Sequence, residues 1–180
     1  MPDEPALTTR SGRRVVKRLL IAGGALLALV ALVTAIGSAL PIRHTAALES
    51  VFPAPRNSLY ALITDVARYP EWRAGVERVE LHPAAGRLRW AETGADGKIL
   101  YEAVESVPGI RLVTRIADPG LPFGGSWTFE LEDTPAGTRL RITEDGEVYN
   151  PVFRFLSRFV FGHDRTIERF LADLRTAIGS

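Results

Sequence analysis

The sequence predicts an α+β protein in which a curved seven-stranded antiparallel sheet wraps around a long C-terminal helix, preceded by one transmembrane helix. Three observations lead to this prediction. Residues 19–40 form an uncharged apolar run, long enough to cross a bilayer. Short segments of alternating polarity, separated by turn residues, occupy 76–149. Apolar residues then recur at every third or fourth position from 152 to 178, as in an amphipathic helix.

The first apolar run has the length of a membrane span. Its 22 residues rise about 33 Å as an α-helix, close to the hydrocarbon thickness of a bilayer. The alternative is a cleavable signal peptide, whose apolar region spans only about 7–15 residues. The sequence Gly37-Ser38-Ala39 is a weak cleavage site. We therefore predict a retained transmembrane anchor at 19–40 and leave cleavage as the alternative.

The charges on either side of this run predict its orientation. Residues 1–18 carry five Lys and Arg residues, whereas only Arg43 and His44 closely follow the run. The positive-inside rule then makes 1–18 a basic cytoplasmic N-terminus. The domain at 45–180 is expected outside the cell, attached to the cell membrane by a single pass.

The composition of the remaining chain excludes some classes of function. Residues after 40 carry seventeen basic and nineteen acidic side chains, so they lack the positive charge that nucleic-acid binding requires. The sequence contains no cysteine, which excludes disulfides and thiolate metal sites. We expect no nucleic-acid partner, no metal and no cofactor, and the oligomeric state is left open.

The domain is predicted to begin with a strand and a helix. Residues 44–52 are semi-apolar and form the expected first strand. The following helix places four apolar side chains on one face: Leu59, Leu62, Ile63 and Val66. Pro70 disfavours helical geometry at the residue before it, so we predict that this helix ends at Tyr69.

Six more strands and a closing helix are predicted to follow. The strands are expected at 76–81, 87–93, 98–107, 110–118, 126–133 and 138–149, with a loop at 119–125. Asn150 is a suitable N-cap with Pro151 behind it, and Gly162 can kink the helical segment 150–178. Because an antiparallel sheet must have its apolar face covered, this segment is expected to cover it.

Three stretches carry a resemblance to a known superfamily: "FPAPRNSLYALITDVARYPEWRAGVERVEL" (52–81), "DGKILYEAVES" (96–106) and "FRFLSRFVFGHDRTIERFLADL" (153–174). The chain resembles the START-like superfamily of helix-grip proteins, also called Bet v 1-like, SRPBCC or polyketide cyclase/dehydrase-like. The run from Asp65 to Trp72 matches the helix end common in that group. The resemblance covers roughly 45–178, and the membrane anchor departs from the commonest soluble form.

The resemblance implies a deep apolar cavity between the sheet and the C-terminal helix, used for lipids, sterols or polyketides. We therefore expect 45–180 to be a START-like domain that binds or transports a hydrophobic small molecule at the membrane. One alternative is a polyketide cyclase/dehydrase-like enzyme that uses a cavity carboxylate. Another is a membrane-associated protein-interaction module. Catalysis is left open and is the less favoured interpretation, because no complete catalytic constellation is present.

Nine residues are candidates for the ligand site, and for each aromatic residue plain packing in the core is the alternative. Trp72 follows the helix end, where it is expected either to cap a ligand or to pack that corner onto the sheet. Glu144 is the most informative polar residue, since strand alternation places it on the apolar face. The full set is Trp72, Trp90, Tyr101, Glu102, Trp127, Phe129, Glu144, Phe155 and Phe159.

Glu144 is also the candidate acid or base if the protein is an enzyme. A buried carboxylate is costly unless it is paired, protonated or in contact with water. Pairing with an arginine is therefore the alternative to a ligand-facing role. Gly146, two residues along the same strand, either leaves room beside it or marks a bulge.

Other motifs carry less information. The three histidines, His44, His82 and His163, are scattered and lack the spacing of a metal site. His163-Asp164 suggests a catalytic pair, but the sequence offers no matching nucleophile motif, and a solvated histidine is favoured. Arg154 and Arg158 lie among phenylalanines, a pattern that suits either contact with lipid headgroups or the polar edge of an amphipathic helix.

Overall fold

The computed structural model describes residues 9–82, 86–95, 97–162 and 164–179. The first helix, α1 (Thr9–Ala39), contains the predicted span and extends beyond it toward the N-terminus. Residues 1–8 of the predicted cytoplasmic segment lie outside the described residues. By length and composition, the part from Gly12 to Ala39 is able to cross a membrane.

Seven antiparallel strands form one sheet, which confirms the predicted fold class. The strands are β1 (Arg43–Phe52), β2 (Arg78–Leu81), β3 (Arg89–Gly94), β4 (Gly97–Val107), β5 (Arg111–Ile116), β6 (Phe123–Thr134) and β7 (Gly137–Val148). Their order is β1-β7-β6-β5-β4-β3-β2. The predicted loop 119–125 is shorter than expected, because β6 already begins at Phe123.

The two faces of the sheet differ in composition. The inner face carries alternate apolar residues, such as Phe129 opposite Ile142 and Leu131 opposite Leu140, all of them buried. The outer face carries charged residues, such as Glu130 opposite Arg141. This alternation follows from the two-residue period of a strand, and it places the hydrophobic core on the inner side only.

The chain between β1 and β2 forms three short helical pieces rather than one helix. These are α2 (Arg56–Thr64), a 3₁₀ turn (Val66–Arg68) and α3 (Tyr69–Trp72). The prediction that the helix ends at Tyr69 is therefore wrong, since Tyr69 has helical backbone angles of −53° and −39°. Pro70 is tolerated because it lies in the first turn of α3, where no backbone donor is needed.

The tyrosine and tryptophan of this run pack inward. The Tyr69 hydroxyl donates a hydrogen bond of 2.7 Å to the Ile63 carbonyl, and burial raises the pKa of Tyr69. Trp72 contacts Tyr69 edge to face, with ring centroids 5.3 Å apart. The run therefore anchors the corner after α2 to the core.

A largely buried ion pair locks this corner to the sheet. The Arg73 guanidinium donates to both carboxylate oxygens of Glu92 on β3, each at 2.9 Å. Trp90 donates its indole N–H to the same carboxylate at 2.9 Å. The guanidinium also lies 4.6 Å from the centre of the Tyr69 ring. The two hydrogen bonds from Arg73 and the one from Trp90 compensate for the cost of burying the Glu92 carboxylate.

The predicted C-terminal helix is divided into two parts. The first consists of α4 (Pro151–Leu156) and a π-helical turn (Ser157–Phe161); the second is α5 (Arg165–Gly179). Asn150 is the N-cap, as predicted, because its side-chain oxygen accepts from the amides of Val152 and Phe153. Gly162, with φ of 75°, separates the two parts. The closing helix is thus shorter than the helical pattern indicates.

Of these two parts, α5 is the one that packs on the inner face of the sheet. Its buried side chains are Ile167, Phe170, Leu171 and Leu174. Phe170 lies at the centre of an aromatic cluster, with ring centroids 5.5 Å from Trp72, 5.7 Å from Trp127 and 5.5 Å from Phe129. These rings fill the space between α5 and the middle of the sheet.

We predict that replacing Arg73 by Met destabilises the fold by about 3–5 kcal/mol, since the largely buried Glu92 carboxylate then loses its ion-pair partner. The double variant Arg73→Met/Glu92→Gln removes that charge and keeps an acceptor for Trp90. It is expected to recover a large part of the loss. Urea unfolding of the full chain in micelles measures the difference, and equal stability of the single and double variants contradicts the assignment.

Candidate functional site at the open end of the sheet

The inner face is covered unequally along its strands. In the part farther from α1, Phe52, Leu112 and Leu140 are fully buried. In the part near the start of β1, the inner-face residues Tyr101, Phe123, Trp127 and Val148 are only half-buried. We call these four residues, together with His44 and Glu144, the open end.

The open end is exposed because α4 packs mainly on α1 and makes only a minor contact with β7 of the sheet. Gly37 is buried, and its Cα faces the Pro151 backbone so closely that no side chain fits between them. Arg154 also donates a hydrogen bond of 2.8 Å to the Leu40 carbonyl at the end of α1. The open end therefore lies beside the C-terminal end of α1.

Three polar side chains meet at the open end. The Thr166 hydroxyl, at the start of α5, donates to Glu144 Oε2 at 2.8 Å. His44 Nε2, on β1, lies 3.7 Å from Glu144 Oε1 on β7. Both side chains of this pair are 17% exposed. A carboxylate and an imidazole thus project from a mostly apolar face, within reach of a ligand that enters there.

Gly146 makes room for the histidine. His44 lies directly across from Gly146 in the β1–β7 ladder, and a Cβ at Gly146 would collide with the imidazole ring. Burial lowers the pKa of His44 from its usual 6.5, and the nearby Asp145 carboxylate partly opposes this shift. His44 is therefore neutral at physiological pH and able to accept a proton.

The structure brings most of the candidate residues to the inner side. Trp90 is buried and stacks on Tyr101, with ring centroids 5.6 Å apart. Trp127 and Phe129 are neighbours on β6, and Trp127 lies directly opposite Glu144. Trp72, Trp127 and Phe129 all contact Phe170 of α5. Near Phe170, aromatic rings thus occupy the place where the resemblance implies a cavity.

The other candidates lie elsewhere. Phe155 and Phe159 contact each other, with ring centroids 5.0 Å apart, on the segment that packs on α1. Glu102 lies on the outer face, where it binds Arg87 and Arg115, each at 3.1 Å. These two arginines lower the pKa of Glu102. None of these three candidates belongs to the open end.

The outer face carries a groove of about 800 Å³ at the same end of the sheet, and His44 and Gly146 also line it. Its lining is rich in charged side chains, and pairs such as Arg43 with Glu147, 2.9 Å apart, neutralise much of it. Arg89 also lines this groove and forms no ion pair with any other described residue. The groove therefore combines paired charges with apolar surface.

His44 is absent from the residues that the sequence predicts for the site. His44 and Glu144 are far apart in the chain, and only the pairing of β1 with β7 brings them together. One signal was available: His44 alternates with Ala46 and Leu48 in the first strand. His163 lies outside the described residues. Within the described part of the chain, no three His, Asp or Glu side chains lie together as a metal ion would need.

Fold and site together define a class of protein: a helix-grip domain with an apolar inner face and a polar group at its open end, joined to an apolar N-terminal helix. A family model described as "Polyketide cyclase / dehydrase and lipid transport" matches residues 52–175. The chain belongs to this family. No curated protein sequence matches it.

Solved structures share the fold at low sequence identity. One is a protein of Thermus thermophilus, with a TM-score of 0.63 and 22% identity, covering 75% of this chain and 97% of that one. The Zhui aromatase/cyclase from Streptomyces sp. R1128 has a TM-score of 0.61 and 14% identity, covering 76% and 94%.

A third similar structure is larger than this protein. It is the di-domain ARO/CYC StfQ from the steffimycin biosynthetic pathway, with a TM-score of 0.60 and 15% identity. The match covers 77% of this chain but only 50% of the di-domain protein. Because all three identities are below 25%, these likenesses concern the fold alone.

We predict that acid destabilises the protein partly through His44. Since folding lowers the pKa of His44, the unfolded chain binds the proton more readily, and the free energy of unfolding falls as the pH drops from about 7.5 to about 5.5. The variant His44→Asn should lose less stability over this range. Thermal unfolding at each pH measures the effect, with His82→Asn, an exposed site, as the control. Identical pH dependence in wild type and His44→Asn would refute the assignment.

Proposed function

We propose that the protein binds a hydrophobic small molecule at the open end of its sheet. The site lies at the surface of the membrane in which α1 anchors the protein. Family membership supports a hydrophobic-ligand-binding or cyclase-like function. The observation that carries the more specific proposal is the unequal cover of the inner face. At this end, apolar residues of the inner face are only half-buried and lie beside the polar side chains of His44 and Glu144.

The open end has the composition of a small-molecule site. Such sites are concave and mostly apolar, with a few polar groups that fix the orientation of the ligand. Here Tyr101, Phe123 and Trp127 supply the apolar surface, and His44 and Glu144 supply the polar groups. Because aromatic rings fill the space around Phe170, we expect the ligand to enter only partway and to remain near α1.

The contacts of α1 favour a retained anchor over a cleaved signal peptide. The last turn of α1 is part of the packing of the domain, through Gly37 against Pro151 and Leu40 against Arg154. Cleavage after Ala39 would remove the residue against which α4 packs. The described side chains from 12 to 32 are all exposed, as expected for a helix that faces lipid. The basic residues before the span favour a domain outside the cell.

Catalysis is the second candidate function, and one observation favours it. His44 and Glu144 form a neighbouring base and carboxylate beside an apolar surface, and burial keeps His44 neutral by lowering its pKa. A neutral imidazole next to a carboxylate is able to move a proton on a bound carbonyl compound, as a cyclase or dehydratase requires. Under this alternative Glu144 orients His44 or itself acts as the general acid or base.

We predict that the full chain purified in micelles carries a hydrophobic molecule that solvent extraction and mass spectrometry identify. Phe123→Ser should lower the bound fraction, because losing about 1–2 kcal/mol of apolar contact weakens binding about tenfold. Val51→Ser, at an exposed outer-face position of β1, is the control and should keep wild-type occupancy. An empty wild-type protein would instead favour the protein-interaction function.

The variant Glu144→Gln separates binding from catalysis in the same experiment. If the protein only binds, this variant should carry the same molecule as the wild type, in a similar or smaller amount. If it catalyses a reaction, wild type should carry product and the variant should accumulate substrate, so the mass of the bound molecule changes. An unchanged mass argues against the catalytic alternative.

We predict that the protein keeps its full mass in the cell and stays in the membrane after an alkaline wash. The variant Val51→Cys places one accessible cysteine in a sequence that otherwise contains none. This cysteine should react with a membrane-impermeant reagent added outside intact cells. A soluble product that begins after Ala39 would show that α1 is a signal peptide. Reaction only after the cells are opened would reverse the proposed orientation.

A further inference from the structure

The segment 150–161 exposes apolar side chains next to α1. Phe153 is 51% exposed, Phe159 60% and Val160 58%. The domain itself does not cover these residues, although α4 lies directly on α1. Exposed apolar side chains that are grouped on one short segment are characteristic of a surface that contacts a membrane or a partner protein.

The residues of α1 that α4 covers show how far the segment 150–161 reaches along the apolar run. Every described side chain from 12 to 32 is exposed, whereas Val33 and Thr34 are half-buried and Gly37 is buried. These three residues lie on one side of α1, across its last two turns. Val33 precedes Leu40 by seven residues, which corresponds to about 10 Å along the helix axis. The cover provided by α4 therefore reaches about 10 Å back along the apolar run.

We propose that residues 150–161 form a second membrane-embedded element, which lies in the lipid leaflet on the domain side and covers the last two turns of α1. This inference rests on the proposed anchor: if 19–40 spans the bilayer, anything packed beside Val33 lies below the lipid headgroups. Amphipathic helices at membrane surfaces bury their apolar faces about 5–10 Å deep, which agrees with the position of α4.

The charges of the segment suit the same location. Arg154 and Arg158 form no ion pair with any other residue that the structure describes. Arg154 instead caps the carbonyl of Leu40, and its Nε atom is buried without a partner among the described residues. At a membrane surface the guanidinium group of the exposed Arg158 lies within reach of lipid phosphates. The occupant of this apolar surface is therefore a phospholipid leaflet.

Embedding this segment brings the open end to the leaflet. Phe155 and Phe159 are in contact, and α4 follows directly from β7, which carries Glu144 and Val148 at the open end. A lipidic ligand then passes from the leaflet along Phe155 and Phe159 to the inner face, without crossing water. The segment thus acts as the entrance for hydrophobic ligands from the membrane.

Site-specific fluorescence tests this proposal in the full chain reconstituted into phosphatidylcholine vesicles. Because the sequence contains no cysteine, Phe159→Cys and Val160→Cys each give one site for an NBD label. The positive control is Leu29→Cys, in the middle of the span. The negative control is Val107→Cys, an exposed position at the far end of β4. Near-UV circular dichroism confirms that each labelled variant keeps its fold.

Nitroxide near the top of the lipid acyl chain should remove roughly half or more of the fluorescence of the Phe159 and Val160 labels, and their emission should shift to the blue. Iodide in the aqueous phase should quench them less than it quenches the Val107 label. Labels at 159 and 160 that iodide quenches as strongly as the control overturn the proposal. Labels shielded from both quenchers also overturn it, because they indicate a protein contact instead.

The Leu29 label separates this inference from the proposed anchor. If it is shielded from iodide while the labels at 159 and 160 respond as in water, the anchor stands and the embedded segment is refuted. If none of the three labels is protected by lipid, both the anchor and the embedded segment are refuted. Protection at all three positions supports both.

Discussion

The contact between α4 and α1 is the interaction on which the site depends. A helical segment that packs on α1 is unable to cover the sheet at the same time, so the inner face near the start of β1 is left half-exposed. Two features hold the segment in place: the absence of a side chain at Gly37, and the hydrogen bond from Arg154 to Leu40. Gly162 then separates the segment from α5. The protein thus divides one helical sequence between two tasks, contact with α1 and closure of the core.

This division gives the interior two different halves. Around Phe170 the space between sheet and helix is filled with aromatic rings, and the Arg73–Glu92 pair fastens the α2–α3 corner over it. At the other end the same face stays accessible and carries polar groups. The rigid packing around Phe170 keeps the open end accessible, since a close-packed core resists collapse into neighbouring space. A ligand site next to a solid core needs no large enclosed cavity.

The polar group at the open end comes from three distant parts of the chain. His44 belongs to the first strand, Glu144 to the last strand and Thr166 to the closing helix. The pairing of β1 with β7 joins the two ends of the domain, and α5 completes the group. Because β1 follows α1 after a short connection, this polar group also lies close to the end of α1. The polar group, the proposed ligand entrance and the proposed membrane attachment are therefore concentrated at one end of the molecule.

The sequence by itself determined the type and order of nearly every element, because hydrophobic periodicity and capping residues such as Asn150 act locally. Alternation likewise placed Glu144 on the apolar side of its strand. The tertiary structure alone decided which partner each apolar face has. Residues 151–156 belong to the pattern of a core helix, yet they cover α1, and Tyr69 is helical despite Pro70. Periodicity reports that a face is buried or apolar, whereas the choice of partner depends on contacts between residues that are distant in the chain.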